Sequence, residues 1–317
     1  MVIIQGITSK GKEIQLRKIV DIRFQSDRLT PADQLDLMIL DEIVPQRIMK
    51  LSAQYQGTIF FEGIVDVQKT SITKDGYYTQ LQCRSRAALL LDNEVRARLY
   101  FSITAQQLIR EHAVPYGIDR FQFPYNACLR QILAEKGMSH WEFIQLFCRL
   151  AYGKTPYLHN QQTICLTPFS EKTYLFSNIQ RDAIGFYESS IQEDRYQMIS
   201  KLYIQTDRGE NGAFYQQVLR NHLAETLGIV RERYYHPARQ WENHIKLSGE
   251  NRIKEYQMAY LEITLFIAGI VFIQVGDNCI FQDKLGTYDN LYVAQVVYEV
   301  GKDGLITKLK LWDKQVV

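Results

Sequence analysis

Short runs in which apolar and polar residues alternate constrain this chain more than any other feature of its sequence. Successive side chains of a strand point to opposite faces, so a period of two predicts strands that bury one face. Between two such runs, Lys74-Asp75-Gly76 predicts a hairpin, because an Asp-Gly turn supplies residues that tolerate positive φ. From Ile3 to about Asp92 the runs are IQLRKIVDIRF, LDLMIL, RIMKLSAQY, TIFFEGIVDVQKTSI and YYTQLQCRS. We therefore predict an antiparallel all-β segment at the N-terminus, a small barrel or sandwich.

Alternating runs return in the second half of the chain. Residues 294–312 repeat the order of residues 65–84, a strand, a Lys-Asp-Gly corner and a second strand, which favours two similar β-domains. The apolar segment from Leu265 to Val275 is far shorter than the roughly 20 residues of a spanning helix. We interpret it as a buried strand pair followed by a turn at Gly276-Asp277. The predicted strands are QMISKLYIQTD, EYQMAYLEITLFI, IVFIQVGDNCIF, NLYVAQVVYEV and LITKLKLW.

Helical spacing appears between the two β segments. Thr104 is placed to cap a first helix, in which Leu108 and Ile109 share one apolar face. Pro115 and Gly117 end this helix, since neither residue continues a regular helix at low cost.

Two further helices are predicted after the first. The second is short and runs roughly from Ala127 to Lys136. The third has Ser139 as its N-cap and Glu142 three residues on as the capping-box partner, and it ends at Gly153. Its apolar face includes Trp141, so we expect this face of the helix to pack on a hydrophobic core.

A small hairpin about His159-Asn160-Gln161 follows the helices, with TPYLHN and QTICLTPF as its strands. The stretch from Phe214 to Lys246 holds QQVLRNHLAETLG, which we interpret as a helix. The predicted fold class is α+β, mainly β, with two antiparallel β-barrel domains flanking a small helical α+β module. The predicted domains are residues 1–95, residues 96–172, and residues 173–317 with an insertion around 211–250.

Charge and cysteine content narrow the function classes. The chain has 37 Lys and Arg and 35 Asp and Glu, which gives a net charge of +2. There is thus no chain-wide basic field to attract nucleic acid or an anionic membrane. The five cysteines contain no C-x-x-C pair, and we interpret them as buried thiols made in a reducing cytoplasm. The N-terminus lacks the basic start and apolar core of a signal peptide. No metal or other cofactor is expected.

No catalytic motif is present: the sequence has no G-x-S-x-G, H-E-x-x-H, Walker loop or G-x-G-x-x-G pattern. Two carboxylates at the right separation can serve a hydrolase as acid and base, so a carbohydrate- or peptidoglycan-active enzyme stays open as an alternative. Solvated strand faces and turns are the ordinary explanation for these carboxylates, and we expect no enzyme. The candidates are Glu62, Asp66, Glu193, Asp194 and Asp277.

Arginine and aromatic residues are concentrated near residue 235. These residue types are enriched in protein–protein hot spots, so this stretch is a candidate interface, and a stacking surface for nucleic acid is the sharper alternative. The candidate interface residues are Arg231, Arg233, Tyr234, Tyr235 and Trp241. A second arginine group is interpreted as a solvated rim or interface: Arg84, Arg86, Arg96 and Arg98.

The order of these motifs resembles the late control protein D family, the baseplate hubs of contractile phage tails and tailocins, related to the hub part of type VI spike proteins. The matching motifs are TIFFEGIVDVQKT with Gly63, SITAQQLIREHAVPYGI with Leu108, Ile109 and Gly117, the helix with Ser139, Trp141 and Phe143, and the closing segment that begins at Gly276-Asp277. CRSRAALLLDN is similar to the family's strand exit into a leucine run. The resemblance covers most of the chain except the stretch from Phe214 to Lys246.

The resemblance implies a virion structural protein with two tube-type barrels per subunit. Three subunits would form a pseudo-sixfold ring that joins the tail tube to a threefold central spike and lines the channel. The implied partners are two further copies of the chain, the spike, the tail tube or its initiator, and the baseplate wedge and tape-measure proteins. DNA would pass without specific binding, and no membrane-spanning segment is expected. The protein would be made in the bacterial cytoplasm and assembled into the baseplate.

Some relatives in this family carry a peptidoglycan-cleaving domain. The chain ends at Val317 directly after the second predicted barrel, so we expect no such domain here. A β-sandwich binding module stays open as a further alternative to the hub.

Overall fold

The protein is described by a computed structural model. It covers the residues 2–41, 46–74, 76–166, 172–205, 207–209, 212–238, 241, 244–284, 286–302 and 304–314.

Seven strands form the N-terminal part of the molecule, and their alternating burial follows the alternation in the sequence. They are β1 (Val2–Thr8), β2 (Glu13–Leu16), β3 (Ile19–Asp27), β4 (Gln34–Asp41), β5 (Ile48–Tyr55), β6 (Thr58–Thr73) and β7 (Gly76–Ser85). The predicted strands of this region are therefore confirmed, except that IQLRKIVDIRF is broken at Lys18, which has a φ of 54°. Thr73 pairs with Gly76, as the predicted hairpin requires, whereas Asp75 lies outside the described residues.

A mixed helical and β segment follows. Its elements are α1 (Ala88–Asp92), β8 (Arg98–Thr104), α2 (Ala105–His112), a 3-10 turn (Val114–Tyr116), β9 (Arg120–Gln122), β10 (Cys128–Ala134), α3 (His140–Tyr152), β11 (Tyr157–His159) and β12 (Thr163–Cys165). Thr104 and Ser139 cap α2 and α3, each with a complete capping box, and Gly153 ends α3 in the left-handed region. Both predicted caps and the hairpin of β11 and β12 are thus confirmed.

The rest of the chain returns to strands, with two helices among them. The elements are β13 (Thr173–Ser177), β14 (Glu188–Glu193), β15 (Lys201–Ile204), β16 (Asp207–Gly209), β17 (Gly212–Phe214), β18 (Gln217–Arg220), α4 (His222–Thr226), β19 (Glu232–Tyr235), α5 (Ile245–Gln257), β20 (Leu261–Ala268), β21 (Asn278–Asp283), β22 (Gly286–Gly301) and β23 (Gly304–Asp313). The chain is mainly β with few helices, which confirms the predicted fold class.

One 13-stranded sheet contains strands from both ends of the chain. Its order is β14-β20-β23-β22-β3-β4-β7-β6-β5-β1-β2, with β21 also on β22 and β13 parallel to β21. One hydrophobic cluster runs through both halves and includes Phe24, Phe61, Phe176, Phe281 and Tyr298. A second cluster lies under the helices and includes Trp141 and Phe143. The domain limits at residues 95 and 172 stay a prediction, because a common core beneath the sheet does not by itself draw a boundary.

The large sheet contains the same five-strand unit twice. The order β5-β6-β7-β4-β3 recurs as β21-β22-β23-β20-β14. From β4 to β7 and from β20 to β23, equivalent residues differ by a constant 228 positions, as Gly76 and Gly304 do. A register shift at Val65/Val67 of β6 recurs at Val293/Gln295 of β22, also 228 positions later. The repeated hairpin seen in the sequence therefore belongs to a repeated unit of five strands.

The predicted helix from Ala127 to Lys136 is wrong. Residues Cys128–Ala134 form strand β10, which pairs with β8 from Cys128–Thr104 to Ala134–Arg98. Ile132 and Ala134 are buried one strand period apart. The unpaired edge of β8 offers hydrogen bonds that this segment takes up, and tertiary pairing outweighs its helix propensity.

The strand predicted for residues 270–275 is also wrong. Strand β20 ends at Ala268, and side chains rather than a ladder satisfy the backbone that follows. The N–H of Val271 donates to Oγ1 of Thr307 at 3.0 Å, and the hydroxyl of Tyr298 donates to the carbonyl oxygens of Val271 and Ile273, both at 3.2 Å. The turn at Gly276 and the strand after it are as predicted.

Two other predictions need correction between Phe214 and Ala268. QQVLRNHLAETLG is half strand and half helix, because Gln217–Arg220 pairs with β15 before α4 begins at His222. The strand predicted to start at Glu255 starts at Leu261, since Ile245–Gln257 forms α5. Buried Ile253 of α5 packs on Leu202 and Ile204 of β15, a contact that the sequence pattern does not reveal.

Candidate assembly interface

Among the described strands, one seam joins the two five-strand units: the pairing of β22 with β3. Strand β22 is 16 residues long, so one edge serves two partners: residues 286–292 pair with β21 and residues 295–300 pair with β3. The antiparallel register of the seam runs from Gln295–Asp27 to Val300–Ile22. The seam is reinforced by an ion pair between Arg23 and Glu299 at 2.6 Å and by a hydrogen bond from Gln295 Nε2 to Asp27 at 2.8 Å.

The equivalent edges of β6, beyond residue 65, and of β14 have no partner among the described strands. Strand β6 is also 16 residues long, and on the edge away from β7 only residues 58–64 pair, with β5. Beyond Val65 that edge carries Val67, 45% exposed, and Ile72, 73% exposed. Within the described ranges, strand β14 pairs only with β20, on one side. Open edges with exposed apolar residues are sites where another chain can add a strand.

The family-motif positions lie at close contacts of the backbone and in the helical core. At Gly63 a Cβ would lie 2.2 Å from the carbonyl oxygen of Arg84, so only glycine lets β6 approach β7 there. Gly117 has a φ of 79° and ends the 3-10 turn. The other motif residues, buried in or beside α2 and α3, are Leu108, Ile109, Ser139, Trp141 and Phe143.

Gly276 and Asp277 build a tight turn against the helical segment. Gly276 has a φ of 92°, and its N–H donates to the carbonyl oxygen of Val293 at 2.8 Å. Buried Asp277 accepts a hydrogen bond on its carboxylate from the N–H of Gln274, three residues earlier in the chain, at 2.9 Å. The turn therefore fixes the start of β21 under the ring of Tyr157.

The β11–β12 hairpin touches both five-strand units, which the sequence analysis missed. At its tip, Gln161 Nε2 donates to the carbonyl oxygen of Phe60 and its Oε1 accepts from the N–H of Glu62, both at 3.2 Å. On the other side, the Nδ1–H of His159 donates to the carbonyl oxygen of Val275 at 3.2 Å. Asn160 and Gln161 have positive φ angles, 52° and 58°, so the tip of the hairpin is a tight turn.

A buried cation lies behind this hairpin. The guanidinium of Arg28 is 4.5 Å from the ring centre of Tyr157 and 5.3 Å from that of Tyr292. Its backbone N–H donates to the carbonyl oxygen of Ala294 on β22 at 2.9 Å. Arg28 therefore connects the loop after β3 with the hairpin and the second unit. No sequence motif indicates this role.

The candidate interface around residue 235 is divided between interior and surface. Trp241 is buried in the helical cluster, and Tyr235 faces α5 with its hydroxyl 2.6 Å from Oγ of Ser248. Arg231 donates to the carbonyl oxygens of Arg195 and Met198. Only Arg233 and Tyr234 of this group are exposed, and Tyr234 stacks on Tyr203 with ring centres 5.1 Å apart.

Two histidines meet inside the helical segment although they are 28 residues apart in the chain. Their Nδ1 atoms, of His112 and His140, are 3.0 Å apart, and Nε2 of His140 is 3.1 Å from the hydroxyl of Tyr116. Burial lowers the pKa of His112 to about 4, with smaller contributions from His140 and Arg98. Burial also lowers the pKa of His140. The pair is thus neutral at pH 7.

The candidate carboxylates do not converge. Asp66 and Asp92 both accept from Arg84, at 2.6 and 2.8 Å, and these bonds raise the pKa of that guanidinium. Glu193 pairs with Arg195 at 2.5 Å, and Asp194 accepts from the N–H of Tyr196. Within the described part of the chain no three His, Cys, Asp or Glu side chains cluster as metal ligands.

Four of the five cysteines are buried, as predicted, but Cys128 is exposed at the start of β10. Burial raises the pKa of the Cys83 thiol to about 12. None of the helices in the described ranges combines the length and apolar character needed to cross a bilayer.

The fold is similar to that of proteins from phage tails and of a type VI secretion component. The sequence matches no protein-family profile and no curated protein. The likeness to solved structures, in contrast, extends over nearly the whole chain and confirms the resemblance to baseplate hubs at the level of the fold.

Three of these structures show the extent of the likeness. A tail protein from Neisseria meningitidis MC58 is 18% identical, with 99% of this chain and 96% of that chain covered and a TM-score of 0.75. The 43 kDa tail protein of prophage MuSo2 from Shewanella oneidensis is 13% identical, with coverages of 99% and 98% and a TM-score of 0.82. An E. coli type VI secretion component, described as similar to the T4 bacteriophage tail proteins gp27 and gp5, is 9% identical, with coverages of 93% and 73% and a TM-score of 0.54.

Proposed function

We propose that this chain is the baseplate hub of a contractile phage-tail-like particle and acts without catalysis. Three copies form a ring of six β units that joins the tail tube to a threefold central spike and lines the channel. The fold shared with phage-tail proteins supports this function. The observation that carries it is the internal seam between β22 and β3, because it shows how one unit docks on the next.

The seam can be repeated between subunits because the units are equivalent. Strand β6 corresponds to β22, and β14 corresponds to β3. The partnered segment of β22, residues 295–300, corresponds to residues 67–72 of β6, which pair only with β7 among the described strands. The free edge of β14 corresponds to the edge of β3 that β22 covers. Each chain therefore offers one copy of each half of the seam.

The internal register predicts the register between subunits. Phe24 pairs with Leu35 of β4, and Ile191 pairs with Ile263 of β20. Because Leu35 and Ile263 are equivalent positions of the two units, Phe24 and Ile191 are equivalent as well. The seam pair Val297–Gln25 then becomes Lys69 of one subunit opposite Gln192 of the next. Such an interface is heterologous, and it must close into a ring or grow into a filament. Three subunits with two units each give the sixfold pseudo-symmetry that a tube requires.

A cysteine pair tests this register directly. We expect the variant Lys69→Cys with Gln192→Cys, in a Cys128→Ser background, to give covalent trimers on oxidation, since opposed strand residues lie within disulfide distance. Both positions and Cys128 are exposed. The matched control is Lys69→Cys with Ser190→Cys, whose second cysteine is exposed on the same face of β14 but shifted by two residues. Equal cross-linking by both variants, or a ladder beyond trimer on a non-reducing gel, would contradict the ring.

In this proposal the ring lies in the baseplate. The spike is below it, the tail tube or its initiator is above it, and the wedge and tape-measure proteins are its neighbours. The protein is made in the bacterial cytoplasm and assembled there. Pull-down of the tagged chain from particle-producing cells should recover the spike and tube proteins together. Recovery of the chain free of every tail component would contradict this placement.

A further inference from the structure

A cavity of about 210 Å³ lies where three parts of the chain meet. Strands β3 and β6 form one wall, the tip of the β11–β12 hairpin forms a second, and the segment at Ile273 and Gln274 forms the third. The volume is below the roughly 300–1,000 Å³ of pockets for drug-sized ligands. It is large enough for one side chain or a small organic ion.

One wall of the cavity is aromatic. Phe24 and Tyr298 stack with ring centres 5.3 Å apart at 19°, and Phe60 meets both edge-on at 5.5 and 5.8 Å. The hydroxyl of Tyr298 is occupied by the backbone of Val271 and Ile273. This wall therefore offers apolar aromatic surface, against which an alkyl stem can pack.

The charged groups along the cavity are acidic. Asp33 lies at its buried end, 8% exposed, where the side chains of Ser26 and Gln161 hydrogen-bond its carboxylate. Exposed Glu62 lies at the rim. Among the described residues that line the cavity there is no lysine, arginine or histidine. Burial raises the pKa of Asp33 to about 6. Near neutral pH its carboxylate is therefore ionised although it lies among apolar and aromatic side chains.

We propose that this cavity binds one organic cation, an alkylammonium or a guanidinium, with its charged head at Asp33 and its alkyl stem beside Ile59 and the aromatic wall. A buried charge is costly unless paired, and a cation of this shape pairs it while its stem covers apolar surface. The ligand is a free amine or guanidine, or the end of a lysine or arginine side chain of another protein. Because the cavity lies within one subunit, the proposal is independent of the proposed ring.

Isothermal titration calorimetry of the full chain at a pH well above the pKa of Asp33 tests this site. The probes are n-butylammonium and n-propylguanidinium, with neutral n-pentanol as the isosteric control. We expect cation binding with a dissociation constant on the order of 1 mM, as befits ligands of so few atoms. We expect Asp33→Asn to weaken it at least tenfold and Glu62→Gln, at the exposed rim, no more than about threefold.

A second variant avoids any change in the buried part of the site. Ile59 is 56% exposed, so Ile59→Arg can place a guanidinium in the cavity from the rim without disturbing the core. We expect it to abolish binding of the added cations. A short peptide with one central arginine distinguishes the sources: tighter binding than propylguanidinium indicates a protein side chain, and equal or weaker binding indicates a free cation. Binding of pentanol equal to that of the cations, or no binding of either cation at 50-fold the expected dissociation constant, would overturn the proposal.

Discussion

Tyr157 leaves no room for a side chain at residue 276: a Cβ built on Gly276 would lie 2.6 Å from Cε2 of the tyrosine ring. Gly276 also has a φ of 92°, a conformation that costs L-residues energy. The turn before β21 is therefore in close contact with the helical segment at Gly276 and Tyr157. Glycine is required there for two separate reasons, its conformation and its size.

Substitution of Gly276 by alanine should lower the free energy of unfolding by about 3 kcal/mol or more, since backbone strain and steric overlap add. Gly269→Ala is the matched control, because Gly269 has a φ of 86° but no heavy atom within 4 Å of its Cβ position. Gly269→Ala should lower the free energy of unfolding by only about 1–2 kcal/mol, the cost of the left-handed backbone conformation. Urea unfolding of both variants gives the comparison, and equal losses would show that contact with Tyr157 is unimportant.

The histidine pair should make the folded state less stable in acid. The pKa of His112 falls from 6.5 unfolded to about 4 folded, so between these values the unfolded chain binds the extra proton. Stability is full above pH 6.5 and declines as the pH falls to 4, by roughly 2 kcal/mol after allowance for partial solvation.

Unfolding free energies measured between pH 4 and pH 7 check this slope. His112→Leu removes this contribution, so the unfolding free energy of the variant minus that of the wild type should rise by roughly 2 kcal/mol as the pH falls from 7 to 4. His222→Leu, at a side chain that is 90% exposed, should leave the slope unchanged. A wild-type slope that both variants retain would assign the acid sensitivity to other groups.

Asp33 should act in the opposite direction in an overlapping range. Its pKa rises from 3.8 unfolded to about 6 folded, so between these values only the folded chain keeps the proton, and the stability falls as the pH rises through this range. Asp33→Asn removes this titration. The unfolding free energy of the variant minus that of the wild type should increase by roughly 2–3 kcal/mol from pH 3.5 to pH 7. A difference that stays constant with pH would mean that Asp33 does not titrate in this range.

The exposed edge of β6 should control assembly and not folding. Val67→Lys and Ile72→Lys place charge on the segment predicted to join the next subunit, where edge lysines discourage strand pairing. We expect loss of trimer in size-exclusion chromatography with light scattering, at an unchanged free energy of unfolding of the monomer. Val230→Lys, at a residue that is 88% exposed and distant from both edges in the chain, is the control. Trimers that survive both β6 substitutions would place the interface elsewhere.

Local features were readable from the sequence because neighbouring residues decide them. Alternation predicted β4, β6, β7, β22 and β23, and the caps at Thr104 and Ser139 set the starts of α2 and α3. The Lys-Asp-Gly corners indicated a repeat, although the hairpin alone was too short to define the five-strand unit. Hydrogen bonds and side-chain periods within a few residues determine such features.

What only the tertiary structure decided depends on contacts between distant residues. Residues 128–134 became a strand because β8 had an open edge, and residues 270–275 left the ladder because Tyr298 and Thr307 satisfied their backbone. The pairing of β22 with β3 and the convergence of Asp33 with Gln161 and Tyr298 join positions more than a hundred residues apart. The sequence by itself determined the strands and caps, whereas three-dimensional packing alone chose their partners, because pairing energy is realised only when remote segments meet.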